Sequence, residues 1–440
     1  MTKVRSRGAV TPLRRHQSIP PGAVLPRLGA LPRVADMVAA QRPTEPMHCI
    51  RPSTLRTTAE RFVSGFPGHV LYAVKCNPEP AVLRALHRGG IRHFDAASPG
   101  EIRLIRQLFP EAAIHYMHPI KAPSAIRAAY FDHGVRDFSL DSIEEIDKIL
   151  EATDHAADLG LHVRLAMPKG QAVYDLSGKF GAAPEQAAEL LRRADAVAAH
   201  LGLCFHVGSQ CLDPMVYERA LALAGTVLAA AGVDLDSLDV GGGFPVSYPG
   251  VTPPDLDLYF AAISRGVAAL GLPAGCQLWC EPGRALVAQG GSLVVQVEAR
   301  RKVGGGDVLY INDGIYGSLS DAGVPAFRFP ARVIRAEPAR AELGDGPAEL
   351  TGFAFYGPTC DSADFMAGPF DLPSDIKVGD WIEIGQLGAY SACLRTAFNG
   401  FDRALIVEVA DQPLLETPGH LDLAGPPLRM PARPPRRIAA

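Results

Sequence analysis

No run of about 18 apolar residues occurs in this 440-residue chain, so no transmembrane helix is expected. The N-terminus lacks the apolar core of a secretory signal. Cysteine is sparse: eight thiols in so long a chain, with no secretion signal, point to reduced thiols in a cytoplasm rather than to a disulfide framework. Cys276 and Cys280 have the spacing of half a zinc site, but no matching Cys or His pair follows, so no metal is expected. An excess of charge of one sign is also missing. With 43 Lys and Arg against 47 Asp and Glu the net charge is −4, and neither nucleic acid nor a membrane surface is expected as a partner. What remains is an ordinary globular profile, 48% hydrophobic and 20% charged, in a chain long enough for two domains.

The two ends differ from the middle. Residues 1–46 are rich in Pro, Arg and Gly, and 426–440 contain "MPARPPRR". Such composition buries no core, and both segments read as disordered tails, the first of them basic. From residue 69 the texture changes. Short β-rich runs alternate with helix-like amphipathic runs: "HVLYAVKC", "RHFDAAS", "AIHYMHP", "VRDFSLD", "LHVRLAMP", "LCFHVGS", "SLDVGGGFP" and "QLWCEPGR" are separated by segments such as "SIEEIDKILEA". Eight such units predict parallel strands in a (β/α)8 TIM-type barrel within residues 47–284. After Arg284 the helical period disappears. "SLVVQVEARRKVGGGDVLYIN" reads as a hairpin turning at Gly304 to Gly306, and "FRFPARVIR", "AELTGFAFYGPTC", "DWIEIGQLGAY" and "RALIVEVA" follow as strands. An all-β C-terminal domain over 285–425 is expected, joined by a strand near 47–51.

The C-terminal ends of the barrel strands carry Lys75, Asp95, His118, Asp141, Arg164, His206, Gly241 to Gly243 and Glu281. A barrel gathers these ends on one rim, where barrel enzymes keep their active sites. Lys75 interrupts an apolar run. It reads either as a lysine snorkelling to water or as a reactive amine whose pKa desolvation lowers. In the second case it forms a Schiff base, with a carbonyl substrate or with pyridoxal phosphate. The triplet in "DVGGGFP" reads as a tight turn or as backbone that lets an anion approach, and Arg284 in "EPGR" adds a cation beside it. Glu281 is placed to keep a pyridine nitrogen protonated, making the cofactor a strong electron sink. His206 offers either a flat ring to stack on that pyridine or a hydrogen-bonded core imidazole. Ser209 offers a phosphate donor.

"YAVKCN", "FDAAS", "HVGSQ", "GGGFP", "EPGR", "NDGIYGS", "GPTCDSAD", "GAYS" and "FNGF" occur in this order. The ordered set resembles the fold type III (alanine-racemase-like) pyridoxal-phosphate decarboxylases, with most likeness to those acting on ornithine and lysine, from about residue 47 to 410. The resemblance implies that Lys75 holds pyridoxal 5'-phosphate covalently, that His206 stacks on its ring and that Glu281 partners its nitrogen. It implies further that Ser209, Gly243, Arg284 and Tyr390 bind the phosphate, that Gly242, Pro282 and Gly283 also contact the cofactor, and that Asp95 and Arg164 lie close to it. It also implies a head-to-tail homodimer with shared sites. Cys360 enters from the neighbouring subunit to protonate the carbanion, and Asp361 holds the substrate's distal amine. Tyr316 and Asp321 are the further substrate contacts. After "NDGIYGS" the family carries a longer segment ending in Tyr-Asp; this chain has "LSDAGVPAFRFP", with Asp321 as the substitute.

The expected reaction is therefore decarboxylation of a basic amino acid, ornithine or lysine, to a diamine. The alternatives are diaminopimelate or another amino acid, or a non-catalytic pyridoxal-phosphate-binding or regulatory homologue.

Overall fold

The computed structural model describes residues 31–419 apart from 171, 173–177, 325–326 and 336–348. The expected N-terminal tail is only partly described. Helix α1 (Val34–Gln41) occupies residues assigned to it from composition, and its Val34 and Val38 are buried against Met47, Cys49, Val294, Trp381 and Val409. The i,i+4 valine pair in "VADMVAAQ" makes an apolar stripe that the surrounding Pro and Arg obscure. Residues 1–30 and 420–440, which include the rest of both predicted tails, lie outside the described residues.

Strand β1 (Met47–Ile50) precedes the barrel. Eight parallel strands then close on themselves: β2 (His69–Ala73), β3 (His93–Asp95), β4 (Ala113–Tyr116), β5 (Asp137–Leu140), β6 (Gly160–Arg164), β7 (His200–Cys204), β8 (Ser237–Asp239) and β9 (Gln277–Cys280). Pairing of His69 with Trp279 and of Val70 with Cys280 completes the ring. Helices α2 (Pro52–Gly65), α3 (Pro80–Arg88), α4 (Pro99–Leu108), α5 (Pro123–His133), α6 (Ile143–Ala152), α7 (Pro184–Asp195), α8 (Met215–Ala231) and α9 (Leu256–Leu270) alternate with the strands. Local chemistry sets their starts. Pro occupies the first turn of α2, α3, α4, α5 and α7, where its missing N–H is harmless. Ser98 and Ser142 accept from the N–H groups of Glu101 and Glu145 at the starts of α4 and α6. Among the described residues, no helix is long and apolar enough to cross a membrane.

One helical turn, α10 (Arg284–Val287), leads into the β domain. There β10 (Gly291–Val303) and β11 (Gly306–Ile311) form the expected antiparallel hairpin, with Gly304 and Gly305 at φ +59° and +85°. Added to them are β12 (Ala331–Ile334), β13 (Leu350–Tyr356), β14 (Phe365–Pro373), β15 (Trp381–Ile384) and β16 (Leu405–Glu408). The sheet runs β12-β15-β10-β11-β13-β14, and β1 lies between β10 and β16. Strand β14 is additional to the strands expected from the sequence, where Gly368 and Pro369 inside "FMAGPFDLP" are breakers.

The β domain is laced to the barrel mouth. Tyr390 N–H donates to Cys76 O at 3.0 Å, and Asn77 Nδ2 donates to Gly388 O at 2.7 Å. A side chain at Gly388 would come within 1.8 Å of Val287 O, so only glycine permits this approach.

Candidate active site

Strand β2 ends at Ala73, earlier than the apolar run implied, and Val74–Cys76 form one 3-10 turn. Asn77 stabilises that turn: its backbone carbonyl accepts from Tyr72 OH and its Oδ1 accepts from Glu79 N–H. The turn lifts Lys75 off the strand. Its Nζ donates to Asp95 Oδ2 at 2.8 Å, while 43% of its side-chain surface stays accessible and Asp95 is buried. The expected lowering of the Lys75 pKa is not what this geometry produces. Partial dehydration does oppose the charge, but Asp95 and Glu281 outweigh it, and the pKa moves upward. Lys75 is thus a reachable ammonium with a proton acceptor already in place.

Around it is a buried acidic group. Asp95 Oδ1 has no hydrogen-bond partner among the described residues, and the same is true of Asp239 Oδ2. Asp239 Oδ1 accepts from Gly241 N–H at 2.8 Å. Burial, then Asp239 and Asp95, push the Glu281 carboxyl well above the usual range. Its surroundings therefore favour the protonated form, which suits a carboxyl facing a basic nitrogen. His206 is held neutral: burial, then Arg164 and Lys75, lower its pKa to about 3. Its Nδ1 accepts from Gly208 N–H at 3.0 Å, which leaves the ring proton on Nε2.

The glycine triplet lies beside His206. Gly241 and Gly243 have φ +69° and +109°, conformations that favour glycine. A Cβ at Gly242 would lie 2.6 Å from Glu281 O and 3.0 Å from His206 Nε2, space that only backbone leaves open. Arg284 is buried nearby, its Nε donating to Ser209 Oγ at 3.3 Å and its guanidinium carbon lying 5.1 Å from the Tyr390 ring centroid. Pro282 O accepts from Ala73 N–H at 3.3 Å, and a side chain at Gly283 would lie 3.1 Å from Cys76 Cβ. These contacts seat the β9 loop on the Lys75 turn.

Asp321 is placed differently from the expectation for a substrate ligand. It is buried, and its Oδ2 accepts from Arg284 Nη1 at 2.8 Å. Tyr248 OH accepts from the same nitrogen at 3.0 Å. Neither contact is visible as a spacing in the sequence, because the partners are 36 and 37 residues from Arg284.

Cys360, Asp361 and Tyr316 form a second group, on the β domain. Cys360 is exposed and its N–H donates to Asn399 Oδ1 at 3.0 Å. Tyr316 OH donates to Asp361 Oδ2. Buried Asp364 ties the two loops together: Oδ1 accepts from Ile315 N–H at 2.8 Å, and Oδ2 accepts from Thr359 N–H and Oγ1 at 3.1 and 2.8 Å. Asn399, Asp364, Tyr248 and Asp239 were not among the candidate residues. Asp364 has a signal in the motif "CDSAD", Asn399 in "FNGF" and Asp239 in "DVGGGFP"; Tyr248 lies outside these motifs and acts through side-chain convergence.

Four features fit pyridoxal phosphate: an amine with an acceptor, a protonated buried acid, a neutral ring, and a glycine cradle beside an arginine. The sequence model for the pyridoxal-binding domain of pyridoxal-dependent decarboxylases matches residues 53–288. A lysine/ornithine decarboxylase of Selenomonas ruminantium is 34% identical over 349 residues, covering 78% of this chain and 84% of that protein. The solved lysine/ornithine decarboxylase of Vibrio vulnificus, complexed with cadaverine, superimposes with TM-score 0.70 and 31% identity over 83% of this chain and 95% of that one. An arginine decarboxylase of Paramecium bursaria Chlorella virus, bound to agmatine, gives TM-score 0.74 and 26% identity over 86% and 99%. The likeness extends over barrel and β domain alike, and on that extent the chain belongs to the pyridoxal-dependent decarboxylases, with pyridoxal phosphate as its cofactor.

Proposed function

We propose that this enzyme decarboxylates ornithine or lysine to the corresponding diamine, in the cytoplasm. The observation that carries the reading is Asp361, a short carboxylate oriented by Tyr316 next to the exposed thiol of Cys360. A carboxylate suits a distal ammonium and disfavours a second carboxylate such as that of diaminopimelate. The names of the relatives, which include lysine, ornithine and arginine decarboxylases, support the same class.

Bound pyridoxal phosphate supplies the electron sink for the pair left when carbon dioxide departs. The protein does the rest. Lys75 Nζ would hold the cofactor at its aldehyde carbon, with Asp95 Oδ2, 2.8 Å away, as acceptor for the proton that Nζ must give up. Ser209, Gly243, Arg284 and Tyr390 would hold the phosphate, with Gly242 beside them leaving backbone space for the cofactor. Glu281 would partner the ring nitrogen, and neutral His206 would cover one ring face. One proton is consumed per turnover, delivered to the former carboxyl-bearing carbon by Cys360 Sγ.

Cys360 acts in this reading on the partner's barrel, within a head-to-tail homodimer. Its exposure supports this, together with the exposed Leu394, Phe398 and Phe401 on the same β-domain segment as Asn399. A two-fold interface shares each site reciprocally.

The test is a decarboxylation screen over ornithine, lysine, arginine and diaminopimelate, with carbon dioxide and amine quantified together. Equal amounts of carbon dioxide and putrescine or cadaverine are expected. Preference for diaminopimelate overturns the assignment.

A further inference from the structure

Barrel interiors are normally filled by branched aliphatic side chains. Below the mouth, this barrel departs from that rule. His69 on β2, His93 on β3, His115 on β4, Asp137 on β5, His162 on β6, His200 on β7, Ser237 on β8 and Trp279 on β9 form a floor to which every strand contributes. The rings of His69 and His93 are 4.3 Å apart, and His93 Nδ1 meets His115 Nε2 at 3.0 Å. Asp137 bridges the next pair: Oδ2 is 2.9 Å from His115 Nδ1 and Oδ1 is 3.3 Å from His162 Nε2. His162 Nδ1 reaches Ser237 Oγ at 3.5 Å. Trp279 lies 4.6, 4.8 and 6.0 Å from the rings of His115, His162 and His200.

The bonding sets a charge limit. A nitrogen-to-nitrogen hydrogen bond needs one nitrogen unprotonated, so His93 and His115 cannot both be imidazolium and keep their bond. Five imidazoles share one bridging carboxylate, which offsets one positive charge. Of the other charged groups at this end, Asp236 also faces His200, and Arg92 Nη1 donates to Ile91 O at 2.9 Å. Asp236 Oδ2 accepts from Leu201 N–H at 2.8 Å, and Arg136 pairs with Asp158 at 2.6 Å.

The floor lies directly beneath the cofactor layer. Two residues farther along the same strands, His93 gives way to Asp95, His162 to Arg164, Ser237 to Asp239 and Trp279 to Glu281. Residues i and i+2 of a strand share a face, about 6.6 Å apart. We propose that Asp137 and the floor histidines are a positioning layer for the cofactor site, and that protonating this floor beyond the one charge Asp137 offsets loosens the barrel and releases the cofactor.

The titration behaviour agrees. Burial, then His115 and His69, lower His93 to about 3. Burial followed by His115 lowers His69, and burial followed by His162 lowers His200. Burial alone would raise Asp137, but His115 and His162 beside it hold its carboxyl well below the usual range. A histidine with a depressed pKa in the folded barrel takes up a proton only when the barrel opens. Its contribution to stability is complete above the open-state value near 6.5 and falls away as pH drops below it.

The experiment uses the holoenzyme. Released cofactor is measured in the filtrate by its absorbance as pH is lowered from about 7.5 to 4, with thermal unfolding in parallel. His93→Gln removes one proton taken up on opening. Its release midpoint should fall to lower pH, with a slope smaller by about one proton. Asp137→Asn removes the only bridging carboxylate, so one more histidine must stay neutral in the closed barrel. Its midpoint should rise, with a slope greater by about one proton. The half-exposed His69→Gln and His200→Gln variants should move with His93→Gln and decide the matter if a more buried change does not fold. A merely structural floor would shift every variant to higher pH, and that result, or no shift at all, overturns the proposal.

Discussion

Asp321→Asn separates two readings of the anion subsite. Asp321 and Arg284 form an ion pair at 2.8 Å with side-chain accessibilities of 7% and 4%. Removing one member of a buried pair leaves the other charge uncompensated and costs about 3–5 kcal/mol. The free protein bears this loss in full. With the cofactor's phosphate beside Arg284, as proposed above, the dianion would restore the missing countercharge. If the apoenzyme loses about 3 kcal/mol and the holoenzyme about 1 kcal/mol, the difference of about 2 kcal/mol appears as tighter cofactor binding, by roughly 30-fold.

The assay is urea unfolding of both forms together with a cofactor titration by equilibrium dialysis. The expected pattern is an apoenzyme markedly less stable than wild type, a holoenzyme close to it, and a lower dissociation constant. The reasoning fails if the variant binds cofactor more weakly. Asp321 would then serve to orient Arg284 toward the phosphate rather than compete with it. A changed KM for the amino acid, with cofactor affinity untouched, would instead return Asp321 to the substrate's amine.

Lys75→Ala should purify without the visible absorbance of the bound cofactor and lose activity by several powers of ten, and a variant that keeps both refutes the attachment site. Glu281→Gln should still bind the cofactor but turn over on the order of 10²-fold more slowly, since an amide cannot share a proton with the ring nitrogen as a carboxyl does; unchanged turnover removes Glu281 from the electron sink. Lys75→Ala and Cys360→Ala, each inactive alone, should regain about a quarter of wild-type activity when mixed in equal amounts and allowed to exchange subunits, because one site of each heterodimer collects neither change. Demonstrated exchange without recovery would place Cys360 at its own chain's barrel.

The barrel was legible because its two signals are local. Each strand is a short apolar run ended by a polar or glycine residue, and each helix repeats at its own period, so Lys75, Asp95, Arg164 and Glu281 could be assigned to one rim before any contact was known. What escaped notice depends on partners distant in the chain. Desolvation is legible in an apolar run and argues for a lowered Lys75 pKa; the countercharge that reverses it comes from Asp95, 20 residues away, and Glu281, just after β9. Asp321 was legible as a carboxylate following a glycine motif, but only the fold shows that Arg284 captures it. Strand β14 was hidden by its own Gly368 and Pro369, which sequence rules treat as breakers while the ladder with β13 tolerates them. The histidine floor is the fullest case. His69, His93, His115, His162 and His200 are separated by 22 to 47 residues along the chain, an interval with no short-range meaning, and each reads singly as a satisfied core histidine. Closing eight strands into a ring converts that spacing into one layer, and the same closure sets the layer beneath Asp95, Arg164, Asp239 and Glu281. The chemistry of the mouth is therefore tied to the protonation of residues that none of its motifs contain.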